Sequence, residues 1–226
     1  VYPASQCVPL PDAIPFETAA SMLLKGMTAE YLLTRTYPVK KGDTILFHAA
    51  AGGVGLIACQ WAKHLGATVI GTAGGPEKAA LAKAHGCDHV IDYRSENIVE
   101  RVLEITGGKK LPVVYDSVGK DTWETSLDCL RTRGMMVSFG NASGAVPPVN
   151  LGILSQKGAL YVTRPSLFSY VETRQELLAT ASNLFDVVVK GAVKIEVNQT
   201  YPLAEAAQAH RDLEARRTTG STVFSV

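Results

Sequence analysis

Short apolar runs alternate with stretches of helical periodicity along most of the chain. Thr44-Ile45-Leu46-Phe47-His48 is entered through Lys41-Gly42-Asp43 and left through an alanine and glycine cluster, the pattern of a strand buried on both faces. Leu56 to Leu65 then repeats its apolar positions at helical spacing and stops at Gly66. The alternation continues with a strand from Thr68 to Thr72, a helix from Pro76 to His85, a strand from His89 to Ile91 and a helix from Asn97 to Ile105. A strand from Val113 to Tyr115, a helix from Thr122 to Leu130 and a strand from Met135 to Phe139 follow. Strands separated by helices of this length build right-handed β-α-β units, so the pattern predicts an α/β fold with a doubly wound, Rossmann-type parallel sheet of about six strands.

The flanks read differently. Val1 to Pro15 is proline-rich connecting chain, followed by two short helices, Phe16 to Leu24 and Thr28 to Thr36, interrupted at Lys25-Gly26. Beyond Val149 come a sixth strand at Leu160 to Val162, a helix from about Val171 to Lys190, a strand near Lys194 to Tyr201, a helix from Ala204 to Arg216 and a last β run from Thr222 to Val226. This tail is not expected to extend the repeating sheet. The stretch Asn141 to Pro148, rich in glycine, serine and proline, reads as a loop over a site.

Composition narrows the function classes. With 226 residues, 46% of them hydrophobic and 19% charged, the chain can bury a sizeable core as one large or two modest domains. A net charge of +1 without runs of like charge leaves no broad surface for nucleic acid or an anionic membrane. The apolar stretches are too short to span a bilayer and the start lacks a signal-like segment, so the expected compartment is the cytoplasm. Cys7, Cys59, Cys87 and Cys129 are widely spaced with no C-x-x-C pair, which suggests neither a zinc site nor a redox dithiol. The five histidines show no metal-ligand spacing, and neither G-x-S-x-G nor H-E-x-x-H occurs. His48 alone stands at a strand end near a potential cofactor, and a satisfied core histidine is the competing reading.

The chemistry concentrates between the first strand and its helix. Ala49-Ala50-Ala51-Gly52-Gly53-Val54-Gly55 is a form of G-x-G-x-x-G in which Ala50 takes the first glycine's place. Gly52 lets backbone approach a pyrophosphate, Gly55 lets helix and strand pack closely, and the helix N-terminus offers free amides to the anion. A P-loop is excluded by the missing Gly-Lys-Ser/Thr. NAD-selective sites place a carboxylate at the end of the second strand, and this chain has Gly71-Thr72-Ala73 there. Thr72 is therefore counted among the residues that line the pocket. Lys78, in the first turn of the next helix, opposes the helix dipole unless an anion is bound, and Tyr93-Arg94 lie on the same sheet edge; solvated surface charges are the bland alternative for the two cations. Asp116-Ser117-Val118-Gly119 and Phe139-Gly140-Asn141 follow strands four and five and should wall the ribose and nicotinamide side.

Phe47 to Gly55, Tyr115-Asp116-Ser117-Val118-Gly119, Ser138-Phe139-Gly140-Asn141 and Thr163-Arg164-Pro165 closely resemble the zinc-independent, zeta-crystallin-like NADPH:quinone oxidoreductases of the medium-chain dehydrogenase/reductase superfamily. The likeness runs along essentially the whole chain. It implies a Rossmann coenzyme domain at residues 27 to 161, a connecting segment at 1 to 26, and a C-terminal segment at 162 to 226 that would complete a GroES-like catalytic domain. Most of that catalytic domain, with the catalytic residues, is expected to lie outside this chain, whose first residue is not methionine.

The same resemblance implies Gly52, Gly53 and Val54 at the pyrophosphate, Lys78 and Tyr93 at the 2′-phosphate, Ser117 near the adenosine, and Phe139, Gly140, Asn141 and Ala142 near the ribose and nicotinamide. It adds Thr28 and Arg216. Zinc-dependent relatives carry a metal-binding cysteine where this chain has Leu24-Lys25-Gly26-Met27-Thr28, so the zinc-free branch is implied. Its chemistry passes a hydride from NADPH to a quinone without flavin or metal and rests on holding donor and acceptor in line. By itself the chain is expected to bind cofactor with little turnover. The alternatives are an enone or alkenal reductase using the same cofactor and, from another class, a nucleotide-sensing or RNA-binding module. A methyltransferase-like fold would need an acidic residue at the second strand end, which Gly71-Thr72 does not provide. The apolar sixth strand, Leu160-Tyr161-Val162, predicts an edge joined to a second subunit in a homodimer.

Overall fold

The structure is a computed structural model that describes residues 3–226. Six strands, β1 (Thr44–Phe47), β2 (Thr68–Ala73), β3 (His89–Asp92), β4 (Leu111–Asp116), β5 (Leu130–Ser138) and β6 (Tyr161–Thr163), form one sheet in the order β3-β2-β1-β4-β5-β6. Every pairing in it is parallel. The Rossmann-type doubly wound arrangement predicted from the alternation is what forms, and its strand order reverses between β1 and β4. That reversal opens a crevice at the carboxyl ends of these two strands, where ligands bind in open α/β sheets.

The apolar runs are continuous because the sheet is covered on both sides. Ile45 and Phe47 face one core together with Val69, Val113, Tyr115 and Val137. Leu46 faces the other with Ile70, Val114 and Met136. Helix α1 (Phe16–Tyr31) and helix α2 (Gly53–His64) pack on the first side. Helices α3 (Pro76–Ala84), α4 (Ile98–Ile105), α5 (Trp123–Asp128) and α6 (Gly152–Gln156) connect the remaining strands.

Several predicted elements change at their edges. The two short helices expected around Lys25-Gly26 are one helix, α1, which runs on into a π-helical turn at Leu32–Thr36. Gly26 does not break the helix. It admits a neighbour, since an added Cβ would lie 2.5 and 2.7 Å from the Leu184 methyls. The helix expected from about Val171 to Lys190 starts three residues later, as α8 (Arg174–Val189), behind a capping box between Thr173 and Glu176, and a separate short helix, α7 (Leu167–Tyr170), precedes it. β5 begins at Leu130, earlier than predicted, because its pairing with β4 shifts register between Leu111 and Val113.

The tail stays out of the main sheet, as predicted. β7 (Gln199–Pro202), α9 (Ala206–Glu214) and β8 (Thr222–Ser225) form a separate parallel two-stranded unit. A division at 26/27 would cut α1, and one at 161/162 would cut β6, which pairs with β5 from Tyr161 to Thr163. Val1 and Tyr2 of the entry segment lie outside the described residues. Among the described residues no helix is long and apolar enough to cross a membrane.

Candidate cofactor site

Between the end of β1 at Phe47 and the start of α2 at Gly53 the chain turns at the switch point of the sheet. Ala49 enters the turn in the left-handed region, at φ 53°. Its carbonyl accepts the Gly52 N–H at 2.9 Å. An added Cβ on Gly55 would lie 2.5 Å from the Ala49 oxygen and 2.6 Å from that of Ala50, so only a hydrogen fits where helix meets turn. No side chain caps α2, which leaves the amides of its first turn to an external acceptor. A backbone cradle closed to any Cβ and an uncapped helix start together fit a bound pyrophosphate.

Gly53 serves a second purpose that the motif alone does not disclose. A Cβ there would meet the Lys25 side chain at 2.7 and 2.8 Å and the Gly220 carbonyl at 2.9 Å. The C-terminal segment thus lies against the glycine loop, with Gly52 bridging to Gly220 and the Gly220 N–H donating to Ala51 O at 3.1 Å. Lys25 donates to Ser221 Oγ at 3.0 Å, and burial lowers its pKa from the ordinary value. Val54 is half-buried and packs on the α1–α2 side of the core.

A cluster of cations stands at the β2–β3 edge. Lys78 in the first turn of α3 donates to the backbone carbonyl of Arg216 at 2.8 Å. Its pKa is lowered first by burial and then by repulsion from Arg94 and Arg216. Neither Lys78 nor either arginine forms an ion pair among the described residues, whereas Arg217 next door bridges to Asp212. Asp92 feels the Arg94 charge but, among the described residues, forms no ion pair with any of the three. Its Oδ1 accepts the Gly75 N–H at 3.0 Å and the Arg94 N–H at 3.1 Å, bonds that hold its carboxyl below the usual range. The Tyr93 phenol lies over Gly74, where any Cβ would collide with its hydroxyl, so a side chain at the end of β2 has no room.

The loops after β4 and β5 zip together. Phe139 N–H donates to Asp116 O at 2.8 Å, Ala142 N–H to Ser117 O at 3.1 Å and Ser143 N–H to Val118 O at 2.8 Å. Gly140 lies against the Ser117 backbone with no room for a side chain, and Phe139 packs on Phe47 with ring centroids 5.6 Å apart. Arg164 donates to Gly140 O at 3.0 Å and to Ser138 Oγ at 3.2 Å, pinning the loop that carries Asn141.

The structure therefore brings Gly52, Gly53, Val54, Gly55, Ser117, Phe139, Gly140, Asn141 and Ala142 to the crevice of one sheet edge. Lys78, Tyr93 and Arg216 gather at its β2–β3 end. Thr28 lies on α1, its hydroxyl donating to Leu24 O at 2.8 Å. Thr72 departs from the expectation of a pocket-lining residue: it is 1% exposed and its hydroxyl is engaged by His48 and the Ala49 amide. His48 is buried and bonded at both ring nitrogens. Lys25, Arg164 and Gly220 have no motif signal of their own, because their roles come from contacts far along the chain. Arg164 stands in Thr163-Arg164-Pro165, but nothing in spacing links it to Gly140.

A cavity of about 420 Å³ lies elsewhere, lined by Glu30, Arg35, Thr180 and Asn183. Its two carboxylates are already engaged, Glu30 by Arg35 at 2.8 Å and Asn183 at 2.9 Å, and Glu176 by the Thr173 amide at 2.9 Å.

The chain belongs to the zinc-binding dehydrogenase family, whose model matches residues 53–189. It is 63% identical over 224 residues to quinone oxidoreductase from Pseudomonas aeruginosa, covering 99% of this chain and 69% of that protein. It superposes on a solved Escherichia coli quinone oxidoreductase complexed with NADPH with a TM-score of 0.94 and 59% identity, over 96% of this chain and 67% of that one. A 2-haloacrylate reductase from Burkholderia sp is 48% identical over 227 residues, covering 99% of this chain and 68% of that protein. A family named for zinc raises the question of a metal. Among the described residues no group of three or more His, Cys, Asp or Glu side chains is placed to hold one.

Proposed function

We propose that this chain binds NADPH along the carboxyl edge of its sheet and serves an oxidoreductase that reduces quinones. The observation that carries this reading is the Lys78, Arg94 and Arg216 cluster beside the uncapped α2. Like charges drawn together in partial burial repel one another until an anion joins them, and a 2′-phosphate is the anion that distinguishes NADPH from NADH.

NADPH, when bound, supplies the hydride. This chain's residues bind and orient it. The first amides of α2 receive the pyrophosphate, Lys78, Tyr93 and Arg216 select the 2′-phosphate, and the zipped loops of Ser117 and of Phe139, Gly140, Asn141 and Ala142 wall the ribose and nicotinamide. Thr28 on α1 joins the same site by the family resemblance. Such positioning is where catalysis without a protein nucleophile finds most of its rate. The acceptor takes the hydride and a proton and leaves as the hydroquinone.

Two domain edges follow the elements: the coenzyme-binding unit begins with α1 and ends with β6. The molecule pairs through the β6 edge and works in the cytoplasm. A second acceptor class, electron-poor conjugated carbonyls, is favoured by the 48% identity to a 2-haloacrylate reductase. Comparing kcat/KM for a quinone and for 2-haloacrylate at saturating NADPH, in the enzyme this chain serves, decides between them.

Calorimetric titration tests the cofactor reading. NADPH should bind more tightly than NADH, and Lys78→Ala should weaken NADPH about tenfold, roughly 1.4 kcal/mol, while leaving NADH unchanged. Equal affinities for the two nucleotides would overturn it.

A further inference from the structure

We propose that Asp116, Ser126, His48 and Thr72 form a directional hydrogen-bond relay that holds the Ala49 amide, and through it the glycine loop, in its cofactor-receiving shape. This rests on the glycine loop being the nucleotide site. The four side chains come from β4, α5, the end of β1 and β2, and they converge beneath the turn. None of them reaches the crevice, so they are positioning residues.

The donors and acceptors assign themselves from one end. Asp116 is 0% exposed. Its Oδ1 accepts the Val118 N–H at 2.7 Å and the Gly119 N–H at 3.0 Å, and its Oδ2 accepts the Thr122 and Ser126 hydroxyls, each at 2.7 Å. Ser126 has one proton and gives it to Asp116, so toward His48 it can only accept. His48 Nε2 lies 3.0 Å from Ser126 Oγ and therefore carries the ring N–H. Burial holds the His48 pKa below its ordinary value, so the ring is neutral and Nδ1 is an acceptor. Thr72 Oγ1, at 3.1 Å, donates to that nitrogen. The Thr72 oxygen is left to accept, and it takes the Ala49 N–H at 3.2 Å.

The relay ends on the residue that most needs holding. Ala49 has a side chain yet occupies the left-handed region at φ 53°, a conformation disfavoured for residues that carry a Cβ. Its carbonyl accepts the Gly52 N–H at 2.9 Å and is the atom against which Gly55 packs. Freeing its amide lets the turn sample other shapes, and apparent cofactor affinity then falls with the fraction of molecules that keep the receptive one. A set of buried groups that merely satisfied one another would change stability and leave cofactor affinity alone.

The test measures NADPH dissociation constants on this chain, and steady-state parameters in the enzyme it serves, for Thr72→Val, Thr72→Ser, Ser126→Ala and the Thr72→Val/Ser126→Ala pair, with Lys78→Ala as a control. Thr72→Val and Ser126→Ala should each raise the NADPH Kd and KM by about fivefold or more with kcat at saturating NADPH little changed. Thr72→Ser, which keeps the hydroxyl, should restore wild-type affinity. Because both lesions break one chain, the double variant should be no weaker than the worse single one. Unchanged affinity in both single variants, or strictly additive losses, overturns the relay while a loss in Lys78→Ala leaves the cofactor site standing. No loss in Lys78→Ala sinks the site itself. If Thr72→Val fails to fold, amide exchange in Ser126→Ala decides: the Ala49 amide should exchange about tenfold faster with β4 amides unchanged, and unaltered Ala49 protection overturns the proposal.

Discussion

Lys78 meets opposition from three sources: the start of α3, partial burial, and the fields of Arg94 and Arg216. In the protein without ligand its pKa is therefore lowered, so its charged form costs stability below that lowered value, and the cost vanishes as pH rises through the window up to the ordinary 10.5. A bound 2′-phosphate favours the charged form and acts in the opposite sense. NADPH affinity should accordingly fall as alkaline pH rises from that lowered value toward the higher pKa of Lys78 in the bound state, while NADH affinity and the affinity of Lys78→Ala for NADPH stay flat. Parallel pH profiles for the two nucleotides would count against a direct phosphate contact. Lys78 and the missing carboxylate after β2 were legible in the sequence, because both depend on position relative to a strand end. The buried state of Thr72 was not: a hydroxyl at the end of a strand reads the same whether it faces the crevice or, as here, His48 and the Ala49 amide.

At the level of elements, two glycines on neighbouring helices make opposite predictions. Gly55 faces backbone oxygens that cannot move without displacing β1, so Gly55→Ala should cost about 1–3 kcal/mol in urea unfolding and abolish NADPH binding together. Gly26 faces the ends of the Leu184 side chain, which can rotate, and alanine gains about 1 kcal/mol of helix propensity there. Gly26→Ala should therefore be close to neutral in stability and keep cofactor affinity; a loss as large as that of Gly55→Ala would show that α1 and α8 cannot adjust. The same contrast explains which helix boundaries could be read from sequence. Asn97 announces its helix by a capping side chain, and Gly66 ends one at φ 89°, whereas the Thr173 cap of α8 passed unread. Gly26 resembles a stop signal only until α8 packs beside it.

Across the whole molecule, β6 leaves an open edge with Tyr161 58% and Val162 39% exposed, next to exposed Phe168. A sheet edge of this kind offers unpaired backbone groups on which another chain can pair. Val162→Lys should shift the protein toward monomer in sedimentation velocity without altering NADPH affinity, whereas a wild-type protein that sediments as a monomer would remove the paired edge from the proposal. The alternation of apolar runs and amphipathic helices determined the six parallel strands, their doubly wound order and the glycine turn at the switch point. Those features depend on local periodicity and on the handedness of β-α-β connections, and both are written along the chain. Tertiary structure alone decided that Arg216 and Gly220 return from the C-terminal segment to Lys78 and the glycine loop. It also decided that Arg164 pins the Gly140 loop and that Asp116 is linked to the Ala49 amide through side chains of three other elements. Such contacts join residues far apart in sequence, and no local pattern records them because each side chain's partner is chosen only when the layers pack.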